Sequence, residues 1–258
     1  ASHELKTPLT IIMGYVELLL SEREPPLDED TTQLIRHIAK ASDRLSDIVR
    51  DIVDVSMIDG RTGDLVSRYV DSNVLVMRAA NNVEQYIKQR EQTLNLNLAE
   101  DLPLIKCDFE RIVQAIGNVL NNAIKFTPDK GRIIVETKLV LRPRVPEKFA
   151  SVGADGLCTL SSEQVPYVEI AIYDSGIGID EEEQEAIFEK FYEVGEVEEH
   201  STGKVAFKSR GAGLGLSIVK GIVDLHGGAV WVESPGYDPD AMPGSTFYLL
   251  LPATSAAA

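Results

Sequence analysis

The chain is predicted to fold as an α+β protein. A two-helix hairpin, half of a dimeric four-helix bundle, leads into an α/β sandwich whose mixed sheet is covered by helices on one face. Three observations predict this. Apolar residues at heptad spacing run from residue 1 to about 60, one glycine-containing linker follows, and beyond it helical and strand periodicities alternate.

The first helix carries Leu5, Leu9, Ile12, Val16 and Leu19 at alternating steps of four and three, and the second carries Leu34, Ile38, Ala41, Leu45, Ile48, Ile52 and Val55. Such seams pack helices at a shallow angle. Glu24-Pro25-Pro26-Leu27-Asp28 breaks the period, with Asp28 or Asp30 as N-cap of the second helix. Two helices alone close no core, so pairing of two hairpins is expected. The hairpin is assigned 1–58, the linker 59–67, the second domain 68–252 and a disordered tail 253–258. In the second domain Ser72 is expected to cap a helix to about Arg90, followed by a strand through Leu94, Leu96 and Leu98. A helix from Asp108 to Lys125 stops before Pro128. Strands are expected at Ile133–Leu141, Tyr167–Asp174, Ala229–Glu233 and Thr246–Leu251, with helices at Glu182–Tyr192 and Leu214–Leu225. Residues 143–166, rich in Pro, Gly and Ser, read as a surface insertion.

Composition narrows the function. The 258 residues are 44% hydrophobic and 26% charged, which fits a folded globular chain. Acids outnumber bases 41 to 25, a formal charge of −16, so nucleic acid and anionic lipid are repelled and neither is expected as a partner. No run approaches the roughly 18 to 20 apolar residues that span a bilayer. Two cysteines, Cys107 and Cys158, cannot staple a fold, which suits a reducing cytoplasmic setting.

Four segments carry chemistry. On the helix from Asp108, residues Arg111, Gln114, Asn118, Asn122 and Lys125 share one face through spacings of three and four. That stripe holds amides and cations and no carboxylate. Amide oxygens suit Mg²⁺, and a lysine suits phosphate; a solvated helix face would look similar. In Asp174-Ser175-Gly176-Ile177-Gly178, the carboxylate has the parity of Val168, Ile170 and Ile172 and points inward. It needs a donor, such as an exocyclic amine, and the glycines let backbone approach a flat base; Asp-Ser-Gly is also a common turn. Gly211-Ala212-Gly213-Leu214-Gly215-Leu216 opens a helix as a phosphate cradle would. It does not fit a dinucleotide fingerprint, where Leu216 should be small, and a Walker loop fails at Gly203-Lys204, which Val205 follows. Finally, His3 and Thr7 share a helical face near Glu4, with Pro8 straining the same turn.

Together these segments closely resemble the catalytic core of sensor histidine kinases of two-component signalling. Ser2-His3-Glu4-Leu5-Lys6-Thr7-Pro8-Leu9 is similar to the phosphoacceptor box, and Asn118 to Thr127 to the asparagine box. Asp174 to Ile179 is similar to the first glycine box and Ile187 to Tyr192 to the phenylalanine box. Gly211 to Leu216 and Gly244-Ser245-Thr246-Phe247 are similar to the remaining glycine boxes. All six stand in the family's order.

The resemblance implies autophosphorylation of His3 by ATP, then phosphoryl transfer to an aspartate of a response regulator. Glu4 would hold the imidazole tautomer, and Thr7 would serve a regulator phosphatase activity. Asn118 would hold Mg²⁺, with Asn122 and Lys125 supporting the phosphates. Asp174 would read adenine beside Gly176 and Gly178, and Thr246 of the last glycine box would also contact the nucleotide. Gly211, Gly213, Leu214 and Gly215 would wrap the phosphates, aided by Lys208 and Arg210 from a basic half of a lid over 193–210. The implied partners are a second copy through the hairpin and a receiver domain. The implied placement is cytoplasmic, with any membrane anchor upstream and no direct membrane contact by these residues. The rivals are a hydrolytic ATPase of the gyrase or chaperone class and a silent nucleotide-binding scaffold. The former uses a glutamate where this chain has Asn118, and an amide cannot take a proton from water.

Overall fold

The computed structural model describes residues 2–21, 27–60, 65–141, 145–149, 165–192 and 213–253, with backbone only for 2–7 and 147. Two compact units emerge, Ala1–Met57 and Ile58–Ala258.

The first unit is the helical hairpin of α1 (Ser2–Leu20) and α2 (Glu29–Asp59). Pro8 lies inside α1. Asp28 starts α2: its carboxylate accepts the Thr31 N–H at 2.8 Å and the Thr31 hydroxyl at 2.6 Å. The buried residues of α2 include Ile35, Ser42 and Val49, spaced by seven. The heptad seam expected for α2 is not this line. Leu34, Ile38, Leu45 and Ile52 are exposed, as are Ile12 and Leu19 of α1, whereas Leu9 and Val16 are buried. The hairpin therefore uses one apolar line for itself and leaves a second one open.

The second unit runs β1 (Ser67–Val70), α3 (Ser72–Gln89), β2 (Thr93–Leu98), β3 (Ile105–Asp108), α4 (Phe109–Phe126), β4 (Arg132–Val140), β5 (Tyr167–Asp174), α5 (Gly215–Leu225), β6 (Ala229–Glu233) and β7 (Ser245–Pro252). Its five-stranded sheet has the order β2-β4-β5-β7-β6. The β2–β4 pair is parallel and the other three pairs are antiparallel. A separate antiparallel pair joins β1 to β3. Strand alternation puts Ile133, Val135, Val168, Ile170, Ile172, Phe247, Leu249 and Val232 on the helix-covered face, all buried. Against them α4 lays Ile112, Ile116, Val119, Leu120 and Ala123, also buried. Each Ile, Val or Leu among them contributes about 1.5–3 kcal/mol by leaving water. The opposite face mixes polar pairs with buried apolar side chains: Lys138 pairs with Glu169 at 2.7 Å and Asn97 bonds Glu136 at 3.0 Å, while Trp231 and Leu250 are buried.

Several expectations need correction. Asp71, not Ser72, caps α3, its carboxylate accepting the Asn73 N–H at 2.8 Å. The helix expected over Glu182–Tyr192 is a series of turns with one 3-10 turn, Ala186–Phe188. Like charges four apart at Glu181 and Glu185 disfavour an α-helix there. Strands β1 and β3 are additional; four residues each is too short for a periodic signal. Ala253 is no frayed tail, being buried and bridged to Ile105. Lys208, Arg210, Gly211, the rest of the expected lid, Cys158 and residues 254–258 lie outside the described residues.

Candidate functional site

The site is built around α4, which touches the turn after Asp174 and the start of α5. Asp108 caps its N-terminus, its carboxylate accepting the Arg111 N–H at 3.3 Å. Arg111, Gln114, Asn118, Asn122 and Lys125 are all half-buried along one face, and the Arg111 guanidinium donates to Gln114 Oε1 at 3.0 Å. Asn118 Nδ2 donates to the carbonyl oxygen of Gly215 at 3.3 Å, fastening the stripe to the start of α5. That bond uses the amide nitrogen and leaves Oδ1, a hard oxygen donor of the kind Mg²⁺ takes. The Lys125 ammonium lies 4.8 Å from the centroid of the Phe126 ring.

The C-terminal end of α4 is held by side chains that the sequence did not single out. Arg90, buried at 6% exposure, donates through Nη2 to Thr127 O at 3.0 Å and through Nη1 to Ile124 O at 3.3 Å, and pairs with Asp129. Gln92 Nε2 reaches Ile124 O, Thr127 O and Pro128 O at 3.0, 2.9 and 3.2 Å. These are carbonyls of the kind a helix end leaves without intrahelical partners. The next carbonyl, Phe126 O, accepts the Ile177 N–H at 3.3 Å. A Cβ on Gly176 would stand 2.5 Å from Phe126 O, so only glycine lets β5 exit this close to α4.

Asp174 ends β5 on the inner face, in register with Ile133 and Ser245, and is 4% exposed. Burial pushes its carboxyl up to about 7, while the backbone amides of Gly176 and Ser245 pull the other way. The Gly176 N–H donates to Oδ1 at 2.9 Å. Beyond it, Gly178 has φ +75°, and a Cβ there would meet Gly236 O at 1.9 Å. The 234–244 loop closes against this turn through Asp238 N–H to Ile177 O and Gly244 N–H to Gly176 O, both at 2.8 Å.

Thr246 does not join Asp174. It pairs with Tyr173, one residue out of phase, and with Tyr173, Glu233 and Ser245 it lines a cavity of about 300 Å³. The residue beside Asp174 is Ser245, buried at 4% exposure. The signal was present in the sequence: Ser245 alternates with Phe247, Leu249 and Leu251, the apolar set of β7.

At the other side, Gly213 (φ +65°) and Leu214 lead into α5. Leu214 is buried and supplies no side-chain cap, so the first amides of the helix have no side chain accepting from them at that position. The Phe191 N–H donates to Gly213 O at 2.9 Å. Thus Asn118, Asn122, Lys125, Asp174, Gly176, Gly178, Gly213, Leu214 and Gly215 sit on segments that contact one another around α4. His3, Glu4 and Thr7 lie on α1 in the other unit, their side chains outside the described residues.

The family model for histidine kinase-, DNA gyrase B-, and HSP90-like ATPases matches residues 107–255, and that for the His kinase A (phospho-acceptor) domain matches residues 1–61. The chain belongs to the sensor histidine kinases. This kinase core has curated relatives across nearly its whole length. It is 30% identical over 258 residues to the signal transduction histidine-protein kinase/phosphatase MprB of Mycobacterium leprae, covering 98% of this chain and 42% of MprB. Full-length ShkA, solved in complex with AMPPNP, is similar in fold with a TM-score of 0.72 at 23% identity, covering 99% of this chain and 45% of ShkA. Histidine kinase ThkA, solved in complex with the response regulator TrrA, is similar in fold with a TM-score of 0.59 at 23% identity, covering 98% of this chain and 59% of ThkA. The kinase core spans 29 to 42% of the length of the curated relatives it matches. Among the described residues no helix is long and apolar enough to cross a membrane.

Proposed function

We propose that this chain is an ATP-dependent protein-histidine kinase that phosphorylates His3 and passes the group to an aspartate of a response-regulator receiver domain. The observation that carries the reading is Asp174. A carboxylate 4% exposed, opposed by two backbone amides and no described cation, is suited to accept from the exocyclic amine of adenine. Asn122 and Lys125, on the same face of α4 as Asn118, are suited to the phosphates, and the start of α5 offers backbone N–H groups to them. Lys208, Arg210 and Gly211 are assigned to the same role. Asn118 would hold Mg²⁺, which would neutralise phosphate charge.

In the transfer step an imidazole nitrogen of His3 forms a bond to the γ-phosphorus. The bond from that phosphorus to the β,γ-bridging oxygen breaks, and ADP leaves with the electron pair. Glu4 accepts from the other ring N–H and stabilises the positive charge that develops on the ring. Phosphatase action on the regulator, through Thr7, is assigned to the same helix face. The exposed line of Ile12, Leu19, Leu34, Ile38, Leu45 and Ile52 supports a homodimer through the hairpin. We place these residues in the cytoplasm, where ATP is available.

The test is incubation with γ-labelled ATP and Mg²⁺. Acid-labile, base-stable label is expected on the protein, absent in His3→Gln and chased onto a receiver domain. Label that persists in His3→Gln, or ATP consumed with no label on the protein, overturns the reading and favours hydrolysis.

A further inference from the structure

We propose that Phe149, carried by the β4–β5 connection, is a positioning residue of the nucleotide site; this rests on the reading of that site given above. Strands β4 and β5 pair from Ile133↔Asp174 to Val140↔Tyr167, so a tight turn at Val140 would suffice to join them. Instead residues 141–166 intervene, and the 3-10 turn Glu147–Phe149 within them lies against β6 at the edge of the sheet. The Phe149 N–H donates to Pro146 O at 2.8 Å, closing that turn, and its ring is buried.

What Phe149 touches gives it a role. Its ring meets Phe188 edge-on, centroids 5.9 Å apart at 80°. Phe188 in turn meets Phe247 at 6.4 Å and 69°. Phe247 stands opposite Ile172, two residues from the level of Asp174 and Ser245. Phe188 thus sits between two edge-on rings, an arrangement that fixes orientation as well as filling space. Three residues on, Phe191 bonds Gly213, and a Cβ on Gly213 would lie 2.7 Å from the Phe191 backbone. Gly213 is two residues before α5, whose N-terminus is assigned to the phosphates. Contacts therefore link the β4–β5 connection to Phe188, and three residues of chain carry that on to Phe191 and the start of α5.

The test measures ADP affinity by calorimetry and melting temperature on the full chain. Phe149→Leu keeps most of the buried apolar volume and loses the aromatic edge. It is expected to weaken ADP binding about threefold to tenfold, the size of one lost aromatic pair, while Phe149→Tyr keeps the parent affinity. Val168→Ala, a buried change at the far end of β5, is expected to lower the melting temperature without changing affinity. Unchanged ADP affinity in Phe149→Leu overturns the inference and leaves the kinase reading standing. Equal weakening in Val168→Ala and Phe149→Leu at equal loss of melting temperature also overturns it, since stability alone would then be at work. A parent chain that binds no ADP overturns the kinase reading and the inference together.

Discussion

The backbone N–H of Asp108 donates to Nε2 of His226 at 2.9 Å, and the other ring nitrogen of His226 lies 2.7 Å from Ile222 O. One imidazole therefore ties the C-terminus of α5 to the N-cap of α4, the two helices that Asn118 and Gly215 join near the other end of α5. Only the neutral ring, with a proton on Nδ1, can accept at Nε2 while donating to Ile222.

Acid should loosen this tie. Burial lowers the His226 pKa from its ordinary 6.5, against the Ile222 carbonyl and the Asp108 carboxylate, which raise it. The unfolded chain then takes up a proton first as pH falls. The contribution is present above pH 6.5 and lost as pH drops from there through the folded pKa. His226→Leu should cost about 1–2 kcal/mol at pH 7.5, and the gap to the parent should narrow towards pH 5. Denaturant titrations at both pH values check this; a gap independent of pH would show that His226 does not titrate between the two states.

Asp174 works with the opposite sign. Its folded pKa is raised from 3.8 to about 7. The native state therefore holds the proton more tightly, and this contribution to stability is lost as pH rises from about 4 through 7. Asp174→Asn should flatten that part of the stability curve and be no less stable than the parent at pH 8, while losing nucleotide affinity. In the parent, the ionised carboxylate is the better acceptor for an amine, so ADP should bind up to about tenfold more tightly at pH 8 than at pH 6. Calorimetry in buffers of different ionisation heat should also detect proton release on binding. Affinity flat across this range would remove Asp174 from base recognition.

Much of this architecture was legible in the sequence, for reasons that vary by element. The apolar face of α4 and the alternation of β5 announce buried surfaces directly. The inward parity of Asp174 follows from counting back to Ile172. The same counting applied to β7 selects Ser245 rather than Thr246, because Ser245 alternates with Phe247 and Leu249. Arg90 and Gln92 left no trace, because a polar pair at the end of an amphipathic helix has the same pattern whether it faces water or caps another helix. The hairpin seam was visible, but periodicity does not tell which of two apolar lines meets the neighbouring helix and which stays exposed.

Arg90 and Gln92 are expected to act as one unit. Both reach Ile124 O and Thr127 O, so removing either leaves the other in place. Arg90→Leu and Gln92→Leu should each destabilise by about 1–3 kcal/mol, the cost of leaving buried polar groups partly unpaired. The double variant should depart from the sum of the singles by at least about 0.5 kcal/mol. Simple additivity in denaturant titrations would mean that the two caps are independent. ADP affinity should fall in the double variant, because Lys125 lies in the turn they hold.

The open apolar line of the hairpin makes the last prediction. Ile38 and Leu45 of α2 are each 50% exposed, seven residues apart on one face, in a helix whose own buried line runs through Ile35, Ser42 and Val49. Covering such side chains contributes about 1.5–3 kcal/mol each when fully buried, and a two-fold pair of hairpins would count every contact twice. Ile38→Lys with Leu45→Lys would place four like charges in that interface and remove the apolar area at once. The double variant should be monomeric by light scattering at concentrations where the parent is dimeric. Its ADP affinity should stay unchanged, since the residues assigned to nucleotide begin at Asn118 in the other unit. A double variant that remains dimeric would place the interface elsewhere, and one that loses ADP affinity would mean that the hairpin supports the nucleotide site directly.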